Sequence, residues 1–150
     1  MTSNTATFQI RAALPTDVGA MFKVRTSVRE NVLTAEELVE LGITPEFIAA
    51  KIERSPCAWV ATVNSEIVGF SLVDLDTACL FAVFVLPKYE GLGIGTGLIK
   101  ACESEIFKSH SVAWLETAQS SRAAKLYRHL RWINETETGE GDVRMEKYRN

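Results

Sequence analysis

One segment constrains this chain more than any other. The apolar run Leu80–Leu86 is stopped by Pro87 and leads into Glu90-Gly91-Leu92-Gly93-Ile94-Gly95-Thr96-Gly97. Helical spacing follows at once, with Leu98, Ile99, Cys102 and Ile106 on one stripe. A buried strand therefore opens through glycines directly into a helix. Glycines let backbone N–H groups face a bound group with no β-carbon in the way. The first helical turn adds unpaired N–H groups and the positive end of the helix dipole. The segment reads as an anion cradle suited to a phosphate or diphosphate.

The spacing narrows the anion. A nucleoside-triphosphate loop needs Lys before Ser/Thr at its end, and here Gly95-Thr96-Gly97-Leu98 stands there. The dinucleotide fingerprint fails too, because Gly91-x-Gly93-x-x-Thr96 lacks its last glycine. Several strands also precede the loop, which does not follow the first one.

The rest of the chain supplies those strands. Phe8–Arg11 alternates as a short strand. Thr16 is read as the cap of a helix whose apolar face is Val18, Met21, Phe22 and Val28. Thr34 and Glu37 form a capping box, and Thr44-Pro45 starts a further helix. Cys57–Val63, Ile67–Val73 and Leu80–Leu86 read as successive, largely antiparallel strands, with a hairpin turn at Asn64-Ser65-Glu66. Leu80–Leu86 is expected to be a central strand buried on both faces. Val112–Thr117 is a strand, and Ser120-Ser121 caps a helix striped by Ala123, Leu126, Tyr127 and Leu130. Strands follow near Trp132 and over Val143–Tyr148. The fold class is α/β of the α+β type: a mixed, mostly antiparallel sheet of six to seven strands flanked by about four helices. At 150 residues this is one domain over 7–150, preceded by a tail at 1–6.

Composition excludes several functions. The net charge is −3, so nucleic acid is not the default partner. Cys57, Cys79 and Cys102 form no C-x-x-C pair, and they read as buried reduced thiols with no metal site. The N-terminus lacks the basic and apolar regions of a signal peptide. The longest strongly apolar run is too short to cross a bilayer. A soluble, cytoplasmic protein with no membrane role is expected. His110 and His129 read as surface residues, and Trp59, Trp114 and Trp132 as packing residues.

Glu90-Gly91-Leu92-Gly93-Ile94-Gly95 resembles the acyl-CoA loop of the GCN5-related N-acetyltransferase (GNAT) superfamily, Gln/Arg-x-x-Gly-x-Gly/Ala. Glu90 departs from the first position of that signature. A later pattern of the family, Asn-x-x-Ala-x-x-Leu-Tyr followed by Gly-Phe, is similar to Ser120–Tyr127 followed by Arg131-Trp132. Ser120 stands at the asparagine position and Arg131 at the glycine position. The order of elements over nearly the whole chain also fits.

The resemblance implies an N-acetyltransferase that moves the acetyl group of acetyl-CoA to a primary amine by direct attack, without an acyl-enzyme. The cosubstrate would lie between Leu80–Leu86 and Val112–Thr117. It would pair with backbone around Val83, Phe84 and Val85 and seat its diphosphate on the amides of Gly91, Leu92, Gly93, Ile94, Gly95 and Thr96, near Ser120. Tyr127 matches the family's general acid, although its periodicity alone makes it a core aromatic. Glu116 interrupts an apolar strand and is either a general base or a solvent-facing residue. Arg25, Arg29 and Glu30 are acceptor-site candidates by position in the first helix and the loop after it. Arg25 also fits a snorkelling arginine. The acceptor is a small-molecule or protein amine, and a homodimer through the C-terminal strands is plausible for the family. Two other readings stay open: an acyl-CoA sensor or interaction module without turnover, and use of a different donor such as succinyl-CoA, for which Arg25 would be the acyl-end cation.

Overall fold

Capping and turn residues set most element boundaries in the computed structural model, which describes residues 7–150. The tail expected at 1–6 lies outside the described residues. β1 (Gln9–Ala12) is followed by a 3-10 turn at Pro15–Asp17 and α1 (Val18–Arg25). The start of this helical segment differs from the sequence reading. Leu14, not Thr16, occupies the cap position, and the Asp17 carboxylate accepts from the Leu14 N–H at 2.7 Å. Arg11 clamps the same carboxylate at 2.8 Å, which makes Asp17 the better anchor.

α2 (Ala35–Glu40) starts with the expected capping box: the Thr34 hydroxyl accepts from Glu37 N–H at 3.1 Å, and the Glu37 carboxylate accepts from Thr34 N–H at 3.0 Å. α3 (Pro45–Arg54) starts at Thr44, whose hydroxyl accepts from Phe47 N–H. β2 (Ala58–Val63) and β3 (Glu66–Asp74) are joined by Asn64 and Ser65, both at positive φ. Two left-handed residues give a hairpin connection the twist its strands need. β4 (Cys79–Val85), a 3-10 turn at Pro87–Tyr89 and α4 (Ile94–Ile106) follow. β5 (Val112–Ala118), α5 (Arg122–His129), β6 (Ile133–Gly139) and β7 (Asp142–Tyr148) complete the chain. Among the described residues there are five α-helices, the six-residue α2 included, against about four expected.

The strands form one sheet in the order β1-β2-β3-β4-β5-β7-β6. Every neighbouring pair is antiparallel except β4 and β5. That parallel pair is held by a single register match, Cys79 with Trp114. Beyond it the two strands part, while β5 keeps its full ladder with β7 from Val112 to Ala118.

The split corrects one expectation. β4 is central but is not buried on both faces. Cys79 and Leu80 are buried, Phe81 is 55% exposed, and Ala82–Val85 are half-buried. The apolar run marks a strand whose second neighbour is missing along most of its length.

The core lies under α4 and α1. Ile94, Leu98, Ile99, Cys102 and Ile106 of α4 are buried, as are Val18, Met21 and Val24 of α1. The three thiols are free and buried, as read from the sequence. No helix among the described residues is long and apolar enough to cross a membrane.

Candidate active site

The parting of β4 and β5 opens a cleft of about 940 Å³. Leu80–Val85 form one wall, and Glu116, Thr117 and Ala118 the other. The glycine turn, with Gly91, Gly93, Gly95 and Thr96, closes one end. Residues from the start of α5 and the loop Val28–Asn31 complete the lining.

The glycines serve two different needs. Gly91 and Gly93 have φ of 80° and 88°, a region that L side chains rarely adopt. Gly93 is the N-cap of α4, so the amides of Ile94, Gly95 and Thr96 lie in its unpaired first turn. Gly95 and Gly97 instead allow close packing. A β-carbon at Gly95 would lie 3.1 Å from Leu126, and one at Gly97 would lie 3.2 Å from Ile10. The turn is thus shaped by Gly91 and Gly93, and Gly95 sets how closely α5 approaches α4.

β4 carries a feature that the sequence does not signal. Leu72 pairs with Ala82 and Val73 pairs with Leu80, so Phe81 is an extra residue without a partner on β3. A bulge re-aims the chain locally and leaves one residue outside the ladder. Phe81 lies on the cleft wall, beside the point where β5 departs.

The family model of the acetyltransferase (GNAT) domain matches residues 54–130. That span holds the splayed strand, the glycine turn and the Tyr127 helix together.

The chain belongs to the GNAT acetyltransferase family.

Relatives agree at two levels. Over 70 residues the chain is 34% identical to the ribosomal protein bS18-alanine N-acetyltransferase of Haemophilus influenzae. That match covers 45% of this chain and 48% of the relative, so it spans about half of the relative's length. Among solved structures, the fold is shared with the PaiA N-acetyltransferase of Thermoplasma acidophilum in complex with coenzyme A. The TM-score is 0.78 at 17% identity, over 95% of this chain and 99% of that one. It is also shared with the ribosomal-protein-S18-alanine N-acetyltransferase of Escherichia coli, with TM-score 0.70 and 18% identity over 95% and 94% of the two chains.

The GNAT cleft gathers most of the residues singled out in the sequence. Val83, Phe84, Val85, Gly91, Gly93, Gly95, Thr96, Ser120, Glu116, Tyr127, Arg29 and Glu30 all line it. Leu92 is 42% exposed and does not line it. The Ile94 side chain is in the core, so Ile94 offers the cleft only its backbone.

Tyr127 is both a core aromatic and a cleft residue. It is 5% exposed and meets Trp132 edge to face, with ring centroids 6.0 Å apart. Its hydroxyl forms no hydrogen bond among the described residues. The residue lines the cleft. Burial raises its pKa, and the nearby Cys102 and Cys79 add to the rise. The phenol therefore keeps its proton.

Glu116 is exposed at the cleft wall and sits opposite Arg144 in the β5–β7 ladder. Ser121, not Ser120, caps α5, accepting from Ala124 N–H at 3.0 Å. Ser120 is left free to face the cleft.

Arg25 stands apart from the lining. It is 9% exposed, its guanidinium lies 4.2 Å from the Phe84 ring centroid, and it donates to the Asn31 carbonyl at 2.9 Å. Burial lowers its pKa. Arg25 does not snorkel to solvent: it backs the cleft wall through Phe84 and anchors the Val28–Asn31 loop. No sequence signal marks Arg122 as a site residue, yet it lies at the mouth of the glycine turn. Its Nε is 3.8 Å from Glu90 Oε2, and its backbone N–H donates to Glu30 Oε1 at 2.9 Å.

Proposed function

We propose that the protein is an acetyl-CoA-dependent N-acetyltransferase acting on a primary amine. One observation carries this reading. A single cleft joins an unpaired stretch of β4, a glycine-shaped helix N-terminus and a protonated phenol. An extended amide chain can add to the free edge of β4 as a strand would. A diphosphate suits the amides at the start of α4.

The amine nitrogen attacks the thioester carbonyl. A C–N bond forms, the C–S bond breaks, and Tyr127 donates its proton to the departing thiolate. Glu116 takes the proton that the amine loses, directly or through water. Direct attack is supported by the buried thiols: among the described residues no cysteine lines the cleft, so none is placed to form an acyl-enzyme there.

The acceptor is a cationic amine on a small molecule or a protein. Glu30, Glu116 and Asp142 line the cleft and favour such a group, beside the cations Arg29, Arg122 and Lys125 that line it too. The Haemophilus influenzae relative is named for acetylating an alanine of a ribosomal protein, which makes a protein N-terminus one class to try. The setting proposed is the cytoplasm. A homodimer would form along β6, an edge strand exposed over its whole length.

The test is release of free CoA thiol on incubation with acetyl-CoA and a panel of amines and N-terminal peptides. Calorimetry with CoA runs beside it. Thiol release with at least one amine is expected. Failure to bind CoA removes the reading, and tight binding with no turnover on any amine favours a CoA sensor.

A further inference from the structure

The geometry points to Arg122 as the side chain that binds the diphosphate of the cosubstrate, held on Glu90 until that anion arrives. This rests on the acetyl-CoA reading above and adds a ligand exchange at the mouth of the glycine turn.

Three observations place Arg122 there. A β-carbon built on Gly91 would lie 4.0 Å from a terminal guanidinium nitrogen of Arg122. Glu90, next to that glycine, is 3.8 Å from Arg122 Nε. Both residues line the cleft. The Arg122 side chain is 61% exposed, so it is free to turn by a few ångströms without disturbing the core.

The pair is built to exchange. At 3.8 Å and near solvent it is a weak ion pair. A diphosphate carries more charge than a carboxylate and offers paired oxygens to the planar guanidinium fork. Glu90 left unpaired beside an incoming diphosphate would repel it. Arg122 therefore does two things: it neutralises Glu90 in the free protein and then transfers to the anion. The cost of leaving Glu90 weakens binding and speeds product release. The backbone N–H of Arg122 is on Glu30, so the exchange asks only for a turn of the side chain.

The test uses the full chain and three probes: CoA, dephospho-CoA, which keeps the diphosphate, and pantetheine, which lacks it. Dissociation constants are measured by calorimetry at several salt concentrations. Arg122→Gln is expected to weaken CoA and dephospho-CoA alike by about tenfold, to leave pantetheine unchanged and to flatten the salt dependence. Arg122→Lys should recover part of the loss. Glu90→Gln should tighten CoA by about two- to fivefold. An Arg122→Gln protein that binds CoA as well as wild type overturns the proposal, as does an equal loss for pantetheine. A loss for CoA but not for dephospho-CoA moves Arg122 to the 3′-phosphate and overturns it as well. Wild-type protein that binds none of the probes defeats the acetyl-CoA reading itself, a result distinct from these.

Discussion

Glu30 Oε1 accepts a hydrogen bond from the backbone N–H of Arg122 at 2.9 Å, across 92 positions of sequence. This bond ties the loop after α1 to the first residue of α5, so the cleft is bridged from one side to the other. A carboxylate at a helix start also satisfies an unpaired N–H and complements the dipole. Glu30→Ala is expected to cost about 1 kcal/mol, or roughly 2–4 °C in melting temperature. Amide exchange over residues 28–31 should quicken and the acceptor KM should rise. Glu30→Gln keeps an accepting oxygen and should recover most of the order. Unchanged exchange in the alanine variant would show that the bridge does not hold the loop.

Tyr127→Phe separates packing from chemistry. Phenylalanine keeps the contact with Trp132 and loses only the hydroxyl. Turnover is expected to fall by about 10²–10⁴-fold, with little change in melting temperature or CoA affinity. Burial holds the Tyr127 pKa above its ordinary 10.0. The sign follows: the phenol stays protonated as pH rises, so it puts no alkaline limb on the wild-type rate profile below about pH 10. A wild-type limb near pH 8 that survives in the variant belongs to another group.

Glu103 is a buried carboxylate with two partners. Trp132 Nε1 donates to Oε2 at 3.0 Å, and Lys147 Nζ donates to Oε1 at 2.9 Å. Lys147 also donates to the Leu130 carbonyl at the end of α5. The network pins α4 to β7 and to the residue before β6. Glu103→Ala leaves an indole N–H and an ammonium without their acceptor, and it should destabilise by about 2–3 kcal/mol. Urea denaturation measures this. A loss below 0.5 kcal/mol, roughly that of an exposed pair, would show the network to be solvated.

Asp17 makes stability depend on acid. The hydrogen bond from Arg11 lowers its pKa below the ordinary 3.8, and the Leu14 N–H adds to the effect. A lowered carboxylate pKa stabilises the fold above the unfolded value and loses that contribution as pH falls through the folded value. Wild type should therefore exceed Asp17→Asn in stability near neutral pH, by about 1–2 kcal/mol. The gap should close below pH 3.8. A gap of constant size down to pH 2 would contradict the assignment.

The thiols should resist alkylation while the protein is folded. Burial pushes Cys79 and Cys102 up to about 12 and raises Cys57 as well. Since the thiolate is the reactive form, mass spectrometry after iodoacetamide at pH 8 should find little modification until denaturant is added.

Legibility varied with the range of the forces involved. The caps at Thr34 and Thr44, the hairpin turn at Asn64-Ser65 and the glycine turn at Gly91–Gly93 are local, and residues within a few positions signal each; their left-handed φ values come from the structure. Local spacing favours Thr16 as the cap, and Leu14–Asp17 takes its place because the deciding partner, Arg11, comes from β1. The bulge at Phe81 had no local signal at all, since register is settled by the partner strand. Periodicity made Tyr127 a core residue, and the structure makes it a core residue that also reaches the cleft.

The amino-acid order by itself determined the strand–glycine–helix unit and the succession of elements. These follow from φ preferences, capping chemistry and apolar spacing, which act over short stretches of chain. Only the tertiary structure decided that β4 and β5 touch at one pair and then part. That gap turned an apolar run into a cleft wall. Tertiary packing also set Glu30 on the Arg122 N–H and put Arg25 behind Phe84. Such contacts depend on how distant segments close around one another, and the preferences of a residue's neighbours in sequence do not encode them.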